Sequence, residues 1–371
     1  MNILINYVGR NGAGPQYAFE MAKGFLENGA KVYVIISSGI TNLSQWENLG
    51  VEKICVLDTY STKLQFIIST IRLTLKDKTK IKRYFSDIHF DCIYVPMQTY
   101  WSFMISMCFP NVPVYFTLHD PECHSGESLF NRLFYHVTKY ELLSAKKTIV
   151  LSKKFQQYVA KTFNKNLEDI MVLPHGAFWS YRQSNCDDCI INYEANKINF
   201  LFFGRIEDYK GLDLLLEAYC HVEQRYSGCV SLVIAGKGDI EKYKSLITKI
   251  KNIHVLNYMI PDNCIKSLFS GANIVTVLPY KDATQSGVIP TAQMFESLII
   301  ASDTGGMREQ LQDGSLGILF PPNDVVALED CMLKIVKNYS SYKVYIRRGW
   351  KYINSLSWCN SAKKVMDDVG L

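Results

Sequence analysis

The chain holds 371 residues, 48% of them hydrophobic and 20% charged, with 22 glycines and 11 prolines; this composition excludes disordered, collagen-like and low-complexity chains and supplies apolar surface for real cores. The length suits two domains, no apolar stretch approaches the ~20 residues of a membrane span, and the amino terminus reads as a strand and not as a leader, so a globular cytoplasmic protein is expected. The net charge of +5 lies wholly in the first half, where residues 1–180 carry 19 Lys and Arg against 14 Asp and Glu while the remainder carries 21 of each; so mild an excess does not favour nucleic acid.

Short β-branched and apolar runs recur with room for a helix between them: Asn2 to Val8, Lys31 to Ile36, Glu52 to Leu57, Asp91 to Val95, Val112 to Leu118, Thr148 to Leu151 and Ile170 to Leu173. Repeated strand and helix predict a parallel, doubly wound α/β sheet over residues 1–177. A polar stretch over 178–197 reads as a linker, and the rhythm restarts with Ile198 to Phe203, Ser231 to Ala235, Ile253 to Leu256, Asn273 to Leu278, Leu298 to Ala301 and Gly317 to Phe320. A second domain of the same Rossmann-like class is therefore expected over 198–350. Helical patterns from Asp324 to Asn338 and from Tyr342 to Leu371 close the chain, with 351–371 a segment able to pack back on the first domain. Two such domains facing across a cleft would carry their chemistry in loops just after strands.

The eleven cysteines, odd in number and scattered among apolar residues, read as buried reduced thiols. Cys186 and Cys189 have metal-ligand spacing, but no second pair completes four ligands, and no metal site is expected.

Four post-strand segments carry candidate chemistry. The loop Gly9-Arg10-Asn11-Gly12-Ala13-Gly14-Pro15 lets backbone approach a ligand and opens a helix whose free N–H groups suit an anion, yet it is no dinucleotide fingerprint and a plain tight turn fits equally. His119-Asp120-Pro121-Glu122-Cys123-His124 places imidazoles and carboxylates at a strand's carboxyl end, where His119 suits a substrate contact and a hydrogen-bonded turn is the bland alternative. Arg205 and Lys210, between a strand and a Leu-rich helix, present a bidentate guanidinium and an ammonium able to converge on a diphosphate. In the run Ala283 to Ala292, Ser286 suits a helix N-cap, Gly287 close phosphate approach, and Pro290 the first turn.

Taken together and in order, "FLFFGRIEDYKGLDLLLEAY", "LVIAGKGD", "SDTGGMREQLQDGSLGILFPPND" and the late "SLSW" resemble the GT-B glycosyltransferases of family 4 (glycosyl transferases group 1), which retain configuration at the anomeric carbon. The resemblance runs through nearly the whole chain. It implies that Arg205 and Lys210 hold the diphosphate of a nucleotide-sugar donor, that Gly12 and Gly14 lie beside it, that His119 contacts the donor sugar, and that residues from Tyr258 to Pro261 flank the base. Lys237, Gln285, Ser286, Gly287 and Thr291 complete the expected donor set, and Arg10, Asp120 and His124 the acceptor set. The family usually carries two glutamates eight positions apart; those positions here are Ala283 and Thr291, a variant in which Gln285, Ser286 and Thr291 line the same pocket.

No two aspartates are separated by one residue, so the Asp-x-Asp metal clamp of the other large glycosyltransferase fold is missing and a metal-independent reaction without a cofactor is expected. The resemblance implies that the departing phosphate takes the acceptor's proton on the face of attack. A glycosyltransferase-like binding protein that has lost catalysis and a nucleotide-sugar epimerase remain as alternatives, while a nicotinamide dehydrogenase lacks its G-x-G-x-x-G. Finally, Leu64, Ile67, Ile68, Ile71 and Leu75 follow helical spacing and run into Arg72, Lys76, Lys78, Lys80, Lys82 and Arg83 with one acid, Asp77. Such a segment either docks on an anionic membrane at the inner face, towards a lipid-linked or oligosaccharide acceptor, or turns its stripe to the core beside a solvated basic loop.

Overall fold

A computed structural model describes residues 1–120, 129–183 and 191–370, with the backbone alone for 129–135. Both expected sheets are present. Strands β1 (Asn2–Tyr7), β2 (Lys31–Ser37), β3 (Lys53–Leu57), β4 (Cys92–Val95), β5 (Val114–Thr117), β6 (Lys147–Val150) and β7 (Ile170–Val172) form a seven-stranded sheet in the order β3-β2-β1-β4-β5-β6-β7. Strands β8 (Ile198–Phe203), β9 (Val230–Ala235), β10 (Ile253–Leu256), β11 (Ile274–Leu278), β12 (Leu298–Ser302) and β13 (Ile318–Phe320) form a six-stranded one, β10-β9-β8-β11-β12-β13. Every pair is parallel, with Ile5 opposite both Val34 and Tyr94 in the first sheet and Leu201 opposite Val233 and Thr276 in the second. Parallel sheets are covered on both faces, so their strands read as continuous apolar runs. That signal made thirteen strands legible to within a few residues.

The chain divides into two compact units, Met1–Pro174 with Leu356–Leu371, and His175–Ser355. The division falls before the stretch read as a linker over 178–197, because the described part of that stretch is built into the second unit by aromatic and ionic contacts that have no sequence period. Arg182 lies over the Trp350 ring at 4.6 Å and pairs with Glu296 at 3.7 Å, while the Tyr193 hydroxyl donates to the Leu268 carbonyl at 2.7 Å. The single pattern from Tyr342 to Leu371 is in fact two helices, Lys343–Ser355 in the second unit and Trp358–Val369 in the first, separated where the Ser357 hydroxyl accepts from Asn360 N–H at 3.3 Å and caps the latter. This terminal helix packs on the helix Gly14–Glu27: a Cβ at Gly24 would stand 2.5 Å from the Trp358 carbonyl, and Asn28 Nδ2 donates to Cys359 O at 2.8 Å. Among the described cysteines, Cys55, Cys92, Cys108 and Cys264 are buried and Cys229 is exposed, so the uniform burial expected of them holds only in part. Among the described residues no helix is long and apolar enough to cross a membrane.

The helix Lys63–Arg72 continues through a π-helical turn, Leu73–Asp77, into Lys78–Tyr84. Its start is set by a capping box between Thr62 and Gln65, which satisfies N–H groups left over at a helix start. Phe66, Leu73 and Ile81 hold it to the domain, Phe66 stacking on Trp101 at 5.9 Å. The opposite stripe faces solvent: Leu64 is 67% exposed, Ile71 54% and Leu75 72%. The reading in which this stripe faces the core is thereby excluded.

Among the described residues of the first unit two carboxyls are buried, Glu20 and Glu141. Glu141 is 2% exposed and accepts from the Ser102 hydroxyl at 2.7 Å, its second oxygen having no partner. Burial raises its pKa to about 8, against the lowering effect of the Ser102 bond. An unfolded carboxyl releases its proton near 4.5, so the stability tied to the neutral folded group is full below that pH and is lost as pH rises to about 8. The wild type is expected to lose on the order of 1 kcal/mol of unfolding free energy per pH unit across this window from this group. Glu141→Gln, neutral throughout, should flatten the slope in denaturant titrations; an unchanged slope would reject the assignment.

Candidate active site

In each sheet the chain winds outward from the first strand in one direction and then returns to its other side, at β1/β4 and at β8/β11. Loops leaving the carboxyl ends of such neighbours diverge to opposite faces and leave a crevice between them, which is where open α/β sheets bind ligands. Most of the described candidate residues lie in loops beside these two places, while Lys237 and Tyr258 follow β9 and β10.

In the first unit, the loops after β1, β4 and β5 meet. His119 is buried, and its Nε2–H donates to the Pro96 carbonyl at 2.9 Å, while its ring packs edge-on against Tyr17 at 4.7 Å. Burial pushes its pKa below the ordinary value, opposed by the Pro96 bond and the Asp120 carboxylate. A neutral ring with Nε2 protonated leaves Nδ1 as its acceptor. Asp120 beside it is exposed, and His124 lies outside the described residues, as do Cys186 and Cys189.

The glycines of the first loop separate into two kinds. Gly12 has φ +83° with nothing within 4 Å of a built Cβ, so it is open to a ligand. At Gly14 a Cβ would meet the Tyr7 hydroxyl at 2.1 Å and Met97 Sδ at 3.0 Å, so this glycine packs against the protein's own side chains under the helix start. Arg10 turns towards the β3 end of the sheet, its guanidinium 4.9 Å from the Tyr60 ring centroid and 3.5 Å from Ser61 Oγ.

In the second unit, Arg205 and Lys210 share one loop but not one environment. The Arg205 side chain is 65% exposed and pairs with Glu207 at 2.8 Å. Lys210 is 8% exposed, on the 3₁₀ turn Asp208–Lys210, and donates to the Tyr280 hydroxyl at 3.2 Å. The loop after β11 is clamped from two sides by close backbone approaches. Gly211, at φ +66°, would place a Cβ 2.0 Å from Pro279 O, and Gly305, at φ +55°, 1.5 Å from Ala283 O; no other residue fits either position.

The helix Val288–Met294 takes Gly287, not Ser286, as its N-cap. Ser286 sits one residue further out, where its hydroxyl accepts from Val288 N–H at 3.2 Å and meets the Tyr280 hydroxyl at 3.3 Å, and its backbone makes both amide bonds with the Gln310 side chain, at 2.9 and 3.0 Å. Thr291 returns its hydroxyl proton to Gly287 O at 3.0 Å, so it does not offer that proton to a ligand. Gln285 is half-buried; Lys237 and Tyr258 are exposed, on the loops after β9 and β10. Two neighbours escaped sequence reasoning: Tyr280, and His175, whose Nε2 lies 3.8 Å from a Cβ built at Gly287. Their proximity comes from loop geometry and has no periodic signal.

Comparison with known proteins bears on the fold and the family. Residues 14–177 match Glycosyltransferase Family 4 and residues 197–338 match Glycosyl transferases group 1. An uncharacterized glycosyltransferase of Methanocaldococcus jannaschii is 25% identical over 238 residues, 62% of this chain and 60% of the relative. The phosphatidyl-myo-inositol mannosyltransferase of Mycobacterium leprae is 27% identical over 169 residues, 45% of this chain and 44% of the relative. The chain thus spans about half the length of these curated relatives. Among solved structures, Anabaena HepE in complex with UDP and glucose superposes with a TM-score of 0.74 at 15% identity, covering 99% of this chain and 98% of that one. The sucrose-phosphate synthase of Thermosynechococcus elongatus gives 0.74 at 15%, over 100% and 98%. At such identity these two establish the fold alone, which is GT-B. With both halves matched in order by its family descriptions, the chain belongs to the group 1 glycosyltransferases of GT-B fold.

Proposed function

We propose that the protein is a retaining hexosyltransferase that moves a sugar from a nucleotide-sugar donor to a hydroxyl acceptor, in the assembly of a surface polysaccharide or glycolipid. The observation that carries the reading is Lys210, a buried ammonium with no carboxylate partner among the described residues, at the carboxyl end of β8. A charge kept there is suited to the diphosphate that leaves as the glycosidic bond forms. A structural neighbour holding UDP and glucose and a relative named for mannosyl transfer to phosphatidyl-myo-inositol support it.

In this reading Lys210 and Arg205 stabilise charge growing on the departing diphosphate, as preorganised donors do in acyl transfer. Arg205 must exchange Glu207 for phosphate, whereas Lys210 has no ion pair to break. The phosphate oxygen takes the acceptor hydroxyl's proton, so no protein nucleophile is used, and the neutral His119 imidazole contacts the sugar through a hydrogen bond. No step is routed through a metal ion. With a panel of nucleotide-sugars and acceptors in EDTA, nucleoside diphosphate should be released only when acceptor is present. Lys210→Ala or Arg205→Ala should lower kcat about 10²- to 10³-fold, the usual cost of one transition-state donor. Conversion of the nucleotide-sugar without acceptor would mean an epimerase, and binding without turnover a catalytically silent relative.

The exposed stripe on the helix Lys63–Arg72 and its continuation supports attachment to an anionic membrane, hence a lipid-linked acceptor. Beyond the stripe, Arg72 pairs with Asp77 at 3.0 Å, while Lys76, Lys78, Lys80, Lys82 and Arg83 have no carboxylate partner among the described residues. Burying the exposed parts of the five apolar side chains is worth roughly 1 kcal/mol each, and each cation near an anionic surface adds about as much. Either term alone gives weak, reversible binding; together they hold the protein at the surface in a salt-sensitive way. Liposomes containing anionic lipid should sediment the wild type, and Lys78, Lys80 and Lys82 all changed to Glu should release it. Equal partitioning of the two would reduce the segment to ordinary surface.

A further inference from the structure

The carboxylates around the loop after β8 are each matched to another cation. Glu207 pairs with Arg205, Asp208 with Lys242, and Asp213 with Lys281 at 2.6 Å. Lys210 is left with aromatic neighbours. Its ammonium is 4.9 Å from the Tyr280 ring centroid and 6.0 Å from that of Tyr209, and it donates to the Tyr280 hydroxyl at 3.2 Å. The amine occupies space that Gly204 leaves empty, since a Cβ there would stand 2.7 Å from Nζ.

A carboxylate in Tyr280's place would hold the ammonium too, but would neutralise it and would have to be displaced by any incoming anion. An aromatic face and a neutral hydroxyl attract the cation and leave its charge uncancelled. Tyr280 is itself 2% exposed, edge-on to Tyr209 at 6.1 Å, with its hydroxyl anchored by Ser286 at 3.3 Å. We propose that Tyr280 is the positioning residue of the diphosphate site, holding Lys210 without an ion pair among the described residues and ready to receive an anion. The inference rests on the donor reading above and adds the group that makes Lys210 effective.

Inorganic pyrophosphate is the probe, because it tests the anion site without sugar, base or acceptor. Its dissociation constant is measured by calorimetry for the wild type, Tyr280→Phe, Tyr280→Leu, and the same changes in a Lys210→Ala background. Removing the hydroxyl in Tyr280→Phe should weaken binding by about 5- to 10-fold and removing the ring as well in Tyr280→Leu by about 10- to 100-fold. Both effects should vanish once Lys210 is absent. Tyr280→Phe keeps the ring's packing, so a folding defect confined to Tyr280→Leu leaves the test intact. Undiminished binding by Tyr280→Phe and Tyr280→Leu, or equal losses with and without Lys210, would overturn the positioning role while the donor reading stood. Equal pyrophosphate binding by the wild type and Lys210→Ala would overturn the donor reading itself, and this inference with it.

Discussion

Parallel pairing is the constraint from which the rest of this molecule follows. Each strand of both sheets must be reached by a crossover over a sheet face, so successive strands deliver their following loops to the same edge. Most of the described candidate residues outside the exposed helix therefore lie in loops that follow a strand's carboxyl end. His119 follows β5, Arg205 and Lys210 follow β8, and Ser286 and Gly287 follow β11. The reversal of winding at β1/β4 and β8/β11 then selects which of these loops diverge enough to admit a ligand.

The two crevices treat charge differently. In the first, burial keeps the His119 imidazole neutral and a backbone carbonyl sets its tautomer, so what it offers is hydrogen bonding. In the second, the buried Lys210 amine has no carboxylate partner among the described residues, while nearby carboxylates pair with Arg205, Lys242 and Lys281. Hydrogen bonding suits a sugar and uncancelled positive charge suits a diphosphate. The stripe of Leu64, Ile67, Ile68, Ile71 and Leu75 is of a third kind, apolar area that the fold leaves uncovered, which soluble surfaces seldom keep without a use.

The glycines divide by cause in the same way. Gly211 and Gly305 bring backbone against the carbonyls of Pro279 and Ala283, and Gly14 makes room for Tyr7; Gly12 alone of the four faces open space. Glycine frequency in a loop signals that something approaches closely, and the approaching group here is more often the protein than a ligand.

The sequence by itself determined the fold class, the thirteen strands and the two-domain plan, because strands covered on both faces must be continuously apolar and the helices between them set the spacing. It also located the loops after β5, β8 and β11, since those follow from strand ends alone. Only the tertiary structure decided which side of the helix Lys63–Arg72 is outward, because both its stripes are apolar and only the inner one, through Phe66, Leu73 and Ile81, finds a partner. It alone revealed that residues 178–183 and 191–197 belong to the second unit and that the last helix returns to the first. It also separated Arg205 from Lys210, two cations five positions apart that read alike in sequence. One is outward and paired, the other inward beside Tyr280; the difference arises from contacts across some seventy residues of chain, which no local pattern records.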